Sequence, residues 1–205
     1  MKKVLLILAA ILVVAVLPLC PIAIERLTAE TLPLKEQVKE GDVIFQTSQS
    51  NQSPLIQIAT RSKITHCGVI VMIKGKPYVL ETLQTLVVTP LERFIARGEG
   101  GRYWVKRSDR EDIKIKYNHL LGKPYDLAFK FDNNIYYCSE LVYDVYQRQL
   151  GISLCQPKEV GNYLILGTDR LPKIKAAMKR RGITKEQYAV APVDLFRSKK
   201  LKRVR

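Results

Sequence analysis

Two strand-forming runs only two residues apart constrain this chain more than any other feature. His66-Cys67-Gly68-Val69-Ile70-Val71-Met72-Ile73 and Lys76-Pro77-Tyr78-Val79-Leu80-Glu81-Thr82 flank Lys74-Gly75. Such a connection, with glycine supplying positive φ, closes a β-hairpin and fixes its register. Both runs are apolar almost without alternation, so both strands are expected to be buried on both faces. Counting from the turn, Glu81 falls opposite Gly68 and His66 opposite Leu83. His66 and Gly68 share a face, so Glu81 stands one diagonal step from His66. That step is roughly 7 to 8 Å between backbone positions, a gap a glutamate side chain closes. A carboxylate on a buried strand demands a partner, and His66 is the expected one.

The remaining elements give the fold class. Val43 to Gln46 reads as a strand after the turn residues Gly41-Asp42, Pro54 to Arg61 as a short helix, Leu91 to Ala96 as another, and Arg102 to Lys106 as a strand. A helix is expected over Ile113 to Leu121, closed by Gly122 and Pro124. The strongest helical pattern, Tyr137 to Leu150, carries apolar residues at 141, 142, 145 and 146 and stops at Gly151. Pro172 to Arg181 and Val193 to Phe196 complete the set. Strands and helices mixed without regular alternation indicate an α+β domain rather than a doubly wound sheet.

The chain divides before this domain begins. Met1-Lys2-Lys3 precedes 21 uncharged, almost wholly apolar residues from Val4 to Ile24. That is the form of an export signal, and the length also suits a single membrane-spanning anchor. Residues 1–27 are therefore expected to be a signal peptide or anchor and residues 28–205 the domain. The product is expected outside the cytoplasmic membrane, in the periplasm or cell envelope. Net charge is +15, and residues 168 to 205 hold 13 Lys or Arg against Asp169, Glu186 and Asp194, ten of the fifteen excess charges. Location excludes nucleic acid as the partner of this basic region. What remains is an anionic membrane surface, or a solvated face without a partner.

Candidate chemistry is confined to a few residues. The chain has two histidines, His66 and His119, and beyond Cys20 only Cys67, Cys138 and Cys155 as thiols. A thiol attacks carbonyl carbon as thiolate, which a helix N-terminus or an adjacent imidazolium stabilises. Cys138 alone stands at a helix start. On the stripe of Leu141, Val142 and Val145 it would otherwise be a small buried hydrophobe, so the functional reading needs a partner. His66 supplies it: a carboxylate on one ring nitrogen fixes the tautomer and frees the other to exchange a proton with a thiol. Strand parity points Cys67 to the opposite face, where it cannot join that site and with Cys155 is expected to be structural, a disulfide being one option in an oxidising compartment. No short paired His or Cys spacing suggests a metal, no G-x-S-x-G elbow a serine hydrolase, and no glycine loop leads into a helix to hold a phosphate. Neither metal nor cofactor is expected.

Several separated motifs in one order resemble the YiiX/YebB-like cysteine hydrolases: Gly41-Asp42-Val43-Ile44-Phe45-Gln46, Gln57 to Ser62 leading into Thr65-His66-Cys67-Gly68, Val79-Leu80-Glu81, Thr89-Pro90-Leu91, Gly122-Lys123-Pro124-Tyr125-Asp126 and Tyr137-Cys138-Ser139-Glu140-Leu141. The resemblance implies a circularly permuted papain-like fold related to NlpC-type cell-wall peptidases, with a central antiparallel sheet packed against helices. It implies Cys138 as nucleophile, His66 as general base and Glu81 as the residue orienting it. The order of His66 before Cys138 matches the permuted form. The implied chemistry is acyl transfer to Cys138 and hydrolysis of an amide or ester; the resemblance does not imply the substrate, which is expected to be a cell-envelope peptide or lipid amide. The alternative is a catalytically silent, membrane-associated, envelope-binding domain of the same shape.

Overall fold

The structure, a computed structural model, describes residues 37–164 and 167–204. The leader expected over residues 1–27 lies outside the described residues. Among those described, no helix is long and apolar enough to cross a membrane.

A six-stranded antiparallel sheet organises the domain, with strand order β4-β3-β2-β1-β5-β8. Its strands are β1 (Val43–Ser48), β2 (His66–Ile73), β3 (Lys76–Thr82), β4 (Leu86–Pro90), β5 (Gly98–Arg107) and β8 (Lys202–Arg203). The β2–β3 hairpin has the expected register, from Ile73 opposite Lys76 to Val69 opposite Leu80. Lys74 and Gly75 both take positive φ, 49° and 75°, the backbone of a type I′ turn matched to strand twist.

Alternation along these strands loads both faces. Val43, Phe45, Cys67, Val69, Val71 and Leu80 belong to one core. It is closed by Leu141 and Val142 of a helix over Cys138–Asp144 and by Val145 and Tyr146 of the π-helical turn that continues it to Gln149. Ile44, Ile70, Val79 and Val105 point the other way, onto Leu91 and Phe94 of the helix Leu91–Ala96. Numbered in chain order, the helices are α1 (Ser53–Thr60), α2 (Leu91–Ala96), α3 (Cys138–Asp144), α4 (Pro172–Arg181) and α5 (Pro192–Phe196). A two-stranded ribbon, β6 (Lys158–Glu159) with β7 (Tyr188–Ala189), lies outside the main sheet.

Two expectations need correction. Residues 113–121 form no helix. Ile113 and Ile115 are buried while Lys114 and Lys116 between and after them are exposed, a period of two. Side chains satisfy this backbone instead of a helical ladder: Ile115 N–H donates to Glu40 Oε1 (2.8 Å), Lys116 N–H to Gln149 Oε1 (2.8 Å), and Gln149 Nε2 to the Lys116 carbonyl (2.9 Å). Strand β5 begins at Gly98 rather than Arg102, because Gly100 and Gly101 at φ 61° and 65° carry the strand through a bend that lies beside a register shift in β1. The basic C-terminal region has the two expected helices, α4 and α5, and adds β8, which pairs with β5.

Candidate active site

The start of α3 is fixed from two sides. Tyr137 is extended (φ −99°, ψ 168°), so the helix begins at Cys138. The strand end after β7 is stitched onto it: Val190 N–H donates to the Tyr137 hydroxyl (2.9 Å), and Ser139 Oγ donates to the Val190 carbonyl (2.7 Å). Ser139 is thus committed to structure. Glu140 follows in the first turn, where its Oε1 accepts the Asp132 N–H at 2.7 Å. Burial pushes its pKa up to about 8.

The hairpin delivers the other two residues. His66 Nε2 lies 2.7 Å from Glu81 Oε2, and Glu81 is fully buried. Its second oxygen accepts from Arg97 Nη2. Phe94 stacks on His66, ring centroids 5.5 Å apart and planes at 23°, and Arg97 lies over the same Phe94 ring. With Nε2 engaged, Nδ1 is the nitrogen left for the thiol. Burial alone would lower the imidazole pKa, but hydrogen bonding to Cys138 and Glu81 and their negative charge hold it up to about 9. Burial would raise the Glu81 pKa, and His66 and Arg97 outweigh it and lower it. Cys138 is driven well below an ordinary thiol, first by a hydrogen bond from the Cys67 side chain and then, against burial, by His66. These directions favour a thiolate–imidazolium pair, with the Glu81 carboxylate holding the ring in place.

Cys67 overturns one expectation. It forms no disulfide with Cys155, both thiols being free. Burial raises its own pKa well above the usual thiol range, so its S–H remains available to donate to the Cys138 sulfur. Parity does place His66 and Cys67 on opposite faces, but α3 points its first residue at the end of β2, where both faces can be reached. Parity separates neighbours in mid-strand and does not at a strand terminus.

Cys138 lies where two cavities meet. One is apolar and runs between α1 and α4, with Leu55, Ile56 and Ala59 facing Ile174, Ala177 and Met178. The other is a polar groove along the strand ends, lined by Gln46, Ser48, Gln49, Thr65, His66, Thr82, Gln84 and Arg97. Arg97 and Gln46 carry no local signature that would have marked them. Arg97 is 16 residues from Glu81 in the chain, and Gln46 is one polar residue ending an apolar run. The expected Cys138, His66 and Glu81 are brought together, whereas His119 is exposed on a loop elsewhere.

Residues 37–205 match a protein family described as permuted papain-like amidase enzymes, YaeF/YiiX, C92 family. The chain is 35% identical over 170 residues to the protein YiiX of Escherichia coli (strain K12), spanning 78% of this chain and 82% of that protein. A solved structure described as metalloprotein YiiX from Escherichia coli O157:H7 superposes with a TM-score of 0.73 at 35% identity, covering 82% of this chain and 97% of that one. The metal in that description belongs to the neighbour; among the described residues here, no group of three or more His, Cys, Asp or Glu is placed to hold a metal ion. The family match spans nearly the whole domain and the antiparallel sheet packed against helices fits a permuted papain-like fold, and the chain belongs to the permuted papain-like amidase family of YaeF and YiiX.

Proposed function

We propose that the protein is a cysteine amidase that removes an apolar acyl chain from a lipid amide, with Cys138 as nucleophile, His66 as proton carrier and Glu81 orienting the imidazole. The observation that carries this reading is a buried thiol at a helix start facing an imidazole whose far nitrogen sits 2.7 Å from a fully buried carboxylate.

In the reaction proposed, the Cys138 thiolate adds to the amide carbon and the negative charge moves to the carbonyl oxygen. The Cys138 backbone N–H, at the positive end of α3, stabilises that oxygen. The C–N bond breaks as the His66 imidazolium gives its proton to the departing amine, leaving a thioester on Cys138. His66, now neutral, takes a proton from water; the hydroxide adds to the thioester, and the C–S bond breaks to release the acid and restore the ion pair.

The apolar cavity favours a lipid amide over a peptide. A pocket walled by aliphatic residues of α1 and α4 and opening at the nucleophile suits a hydrocarbon chain. We also propose that the enzyme works outside the cytoplasmic membrane, beside an anionic lipid surface, which the leader and the basic C-terminal region support.

Hydrolysis of amides with one amine and acyl chains of increasing length tests the reading. Each methylene entering the cavity is worth about 0.8 kcal/mol, so kcat/KM should rise roughly fourfold per carbon until the cavity is full. Cys138→Ala should abolish turnover and Glu81→Gln should lower it less. Undiminished activity in Cys138→Ala, or indifference to chain length, would overturn it.

A further inference from the structure

A buried polar atom without a partner is costly, and native proteins hold few of them. Among the described residues five such side-chain atoms occur, and three line one groove: Gln46 Nε2, Gln46 Oε1 and Thr82 Oγ1. Gln46 is fully buried and Thr82 nearly so. Gln46 stands directly across from His66 in the β1–β2 register, and Thr82 follows Glu81 at the end of β3. Gln46 therefore lies beside the imidazole on the neighbouring strand, and Thr82, opposite Cys67 in the hairpin register, reaches the same groove from the end of β3. Both amide atoms of Gln46 are unused, one donor and one acceptor side by side.

The surrounding chemistry narrows what they meet. Gln49, Gln84, Ser48 and Thr65 also line this groove, all uncharged hydrogen-bonding residues. Its cation, Arg97, is engaged by Glu81. The charges of the site are paired among themselves: Glu81 with His66 and Arg97, Cys138 with His66. An anionic head would find no free cation among these partners and would approach a thiolate.

We propose that this groove is the leaving-group subsite, that it accepts an amine bearing a neutral amide-type head, and that Gln46 and Thr82 read that head by hydrogen bonding. The proposal rests on the amidase reading and deepens it: the apolar cavity takes the acyl side of the scissile bond, the polar groove the amine side, and Cys138 lies between. The unsatisfied Gln46 carboxamide is then a stability sacrifice held for substrate, which a site built for binding makes at some expense to the fold.

Three octanoyl amides of nearly equal shape provide the test, with glycinamide, isobutylamine or glycine as the amine. They place a neutral amide, two methyl groups or a carboxylate at the same position. Wild-type kcat/KM should favour glycinamide over isobutylamine by at least about tenfold, since a site built to hydrogen-bond rejects an apolar isostere, and glycine should also fall below glycinamide. In Gln46→Met and Thr82→Val that preference should shrink severalfold or more. Gln46→Met should also melt at the same temperature as wild type or higher, because it removes an unpartnered amide. A purely structural role predicts the reverse, a lower Tm with the preference intact. Calorimetric binding of the same amides to Cys138→Ala separates the two layers of the argument. Preferential glycinamide binding without wild-type turnover would support the groove and overturn the amidase reading. Turnover without preference would overturn the groove alone. Absence of both binding and turnover would overturn both.

Discussion

Glu140 shows how one residue at the start of the helix that carries Cys138 can make the protein sensitive to pH. Its carboxyl is buried and takes the Asp132 N–H on one oxygen, while the other oxygen has no partner. Burial pushes its pKa up from 4.5 to about 8. A folded state with the higher pKa binds the proton more tightly than the unfolded chain, so stability falls as pH rises from about 4.5 and levels off above about 8. Gln imitates the protonated form and removes that slope. Glu140→Gln is therefore expected to melt at a higher temperature than wild type at pH 8.5 and at nearly the same temperature at pH 4.5. Thermal scans across this range check it; an equal difference at both pH values would contradict it. His66 has the same sign: raised from 6.5 to about 9, its stabilising contribution is full below pH 6.5 and is lost as pH passes 9.

At the scale of elements, the β2–β3 hairpin is the device that sets the site. Its two-residue turn, its register and the approach of Glu81 to His66 were legible in the sequence, because a type I′ turn allows one pairing only. Gly68 permits that approach: a Cβ there would meet Val79 Cγ1 at 2.4 Å and the Leu80 carbonyl at 2.7 Å. Backbone cannot yield as a side-chain end does. Gly68→Ala is expected to cost about 1–3 kcal/mol, lowering Tm by several degrees and reducing turnover as Glu81 is pushed away from His66. Unchanged melting in this variant would contradict the packing described.

Elsewhere the elements were less legible, for physical reasons. Over Ile113 to Leu121 the apolar residues fit both a helical and an alternating period, and partners distant in sequence, Glu40 and Gln149, decided for extended chain. Contacts made at the ends of elements were hidden for the same reason: Cys67 reaches Cys138 where β2 begins, and Arg97 reaches Glu81 from the turn after α2. Residue spacing encodes faces within an element and says little about where elements end on one another.

Over the whole molecule, charge is woven into the architecture. Lys173, Lys175, Lys179 and Arg180 are carried by α4 with their exposed or half-exposed side chains, and Lys202 and Arg203 form the edge strand β8. A basic surface held on a rigid frame is attracted to anionic lipid by on the order of 1 kcal/mol per nearby cation, an attraction that salt screens. The domain from residue 28 onward should bind vesicles containing anionic phospholipid at low salt, bind neutral vesicles weakly, and detach as ionic strength rises. Equal, salt-insensitive binding to both would contradict a membrane role for this surface. α4 also walls the apolar cavity, so contact with lipid through that helix would bring the cavity close to the source of acyl chains.

The most direct measurement is the rate at which iodoacetamide alkylates Cys138 as a function of pH, read by mass on the peptide that carries it, in wild type and in His66→Ala. The Cys138 pKa is lowered well below the usual thiol range while those of Cys67 and Cys155 are raised, Cys155 to about 12, so at pH 6 the reaction selects Cys138. Wild type should already react rapidly at pH 6, and His66→Ala should lose at least about tenfold in rate there as the thiol returns toward an ordinary pKa. If Cys138 alkylated at the same rate in both proteins, with a midpoint near that of a free thiol, no thiolate–imidazolium pair would exist and the proposed mechanism would be wrong.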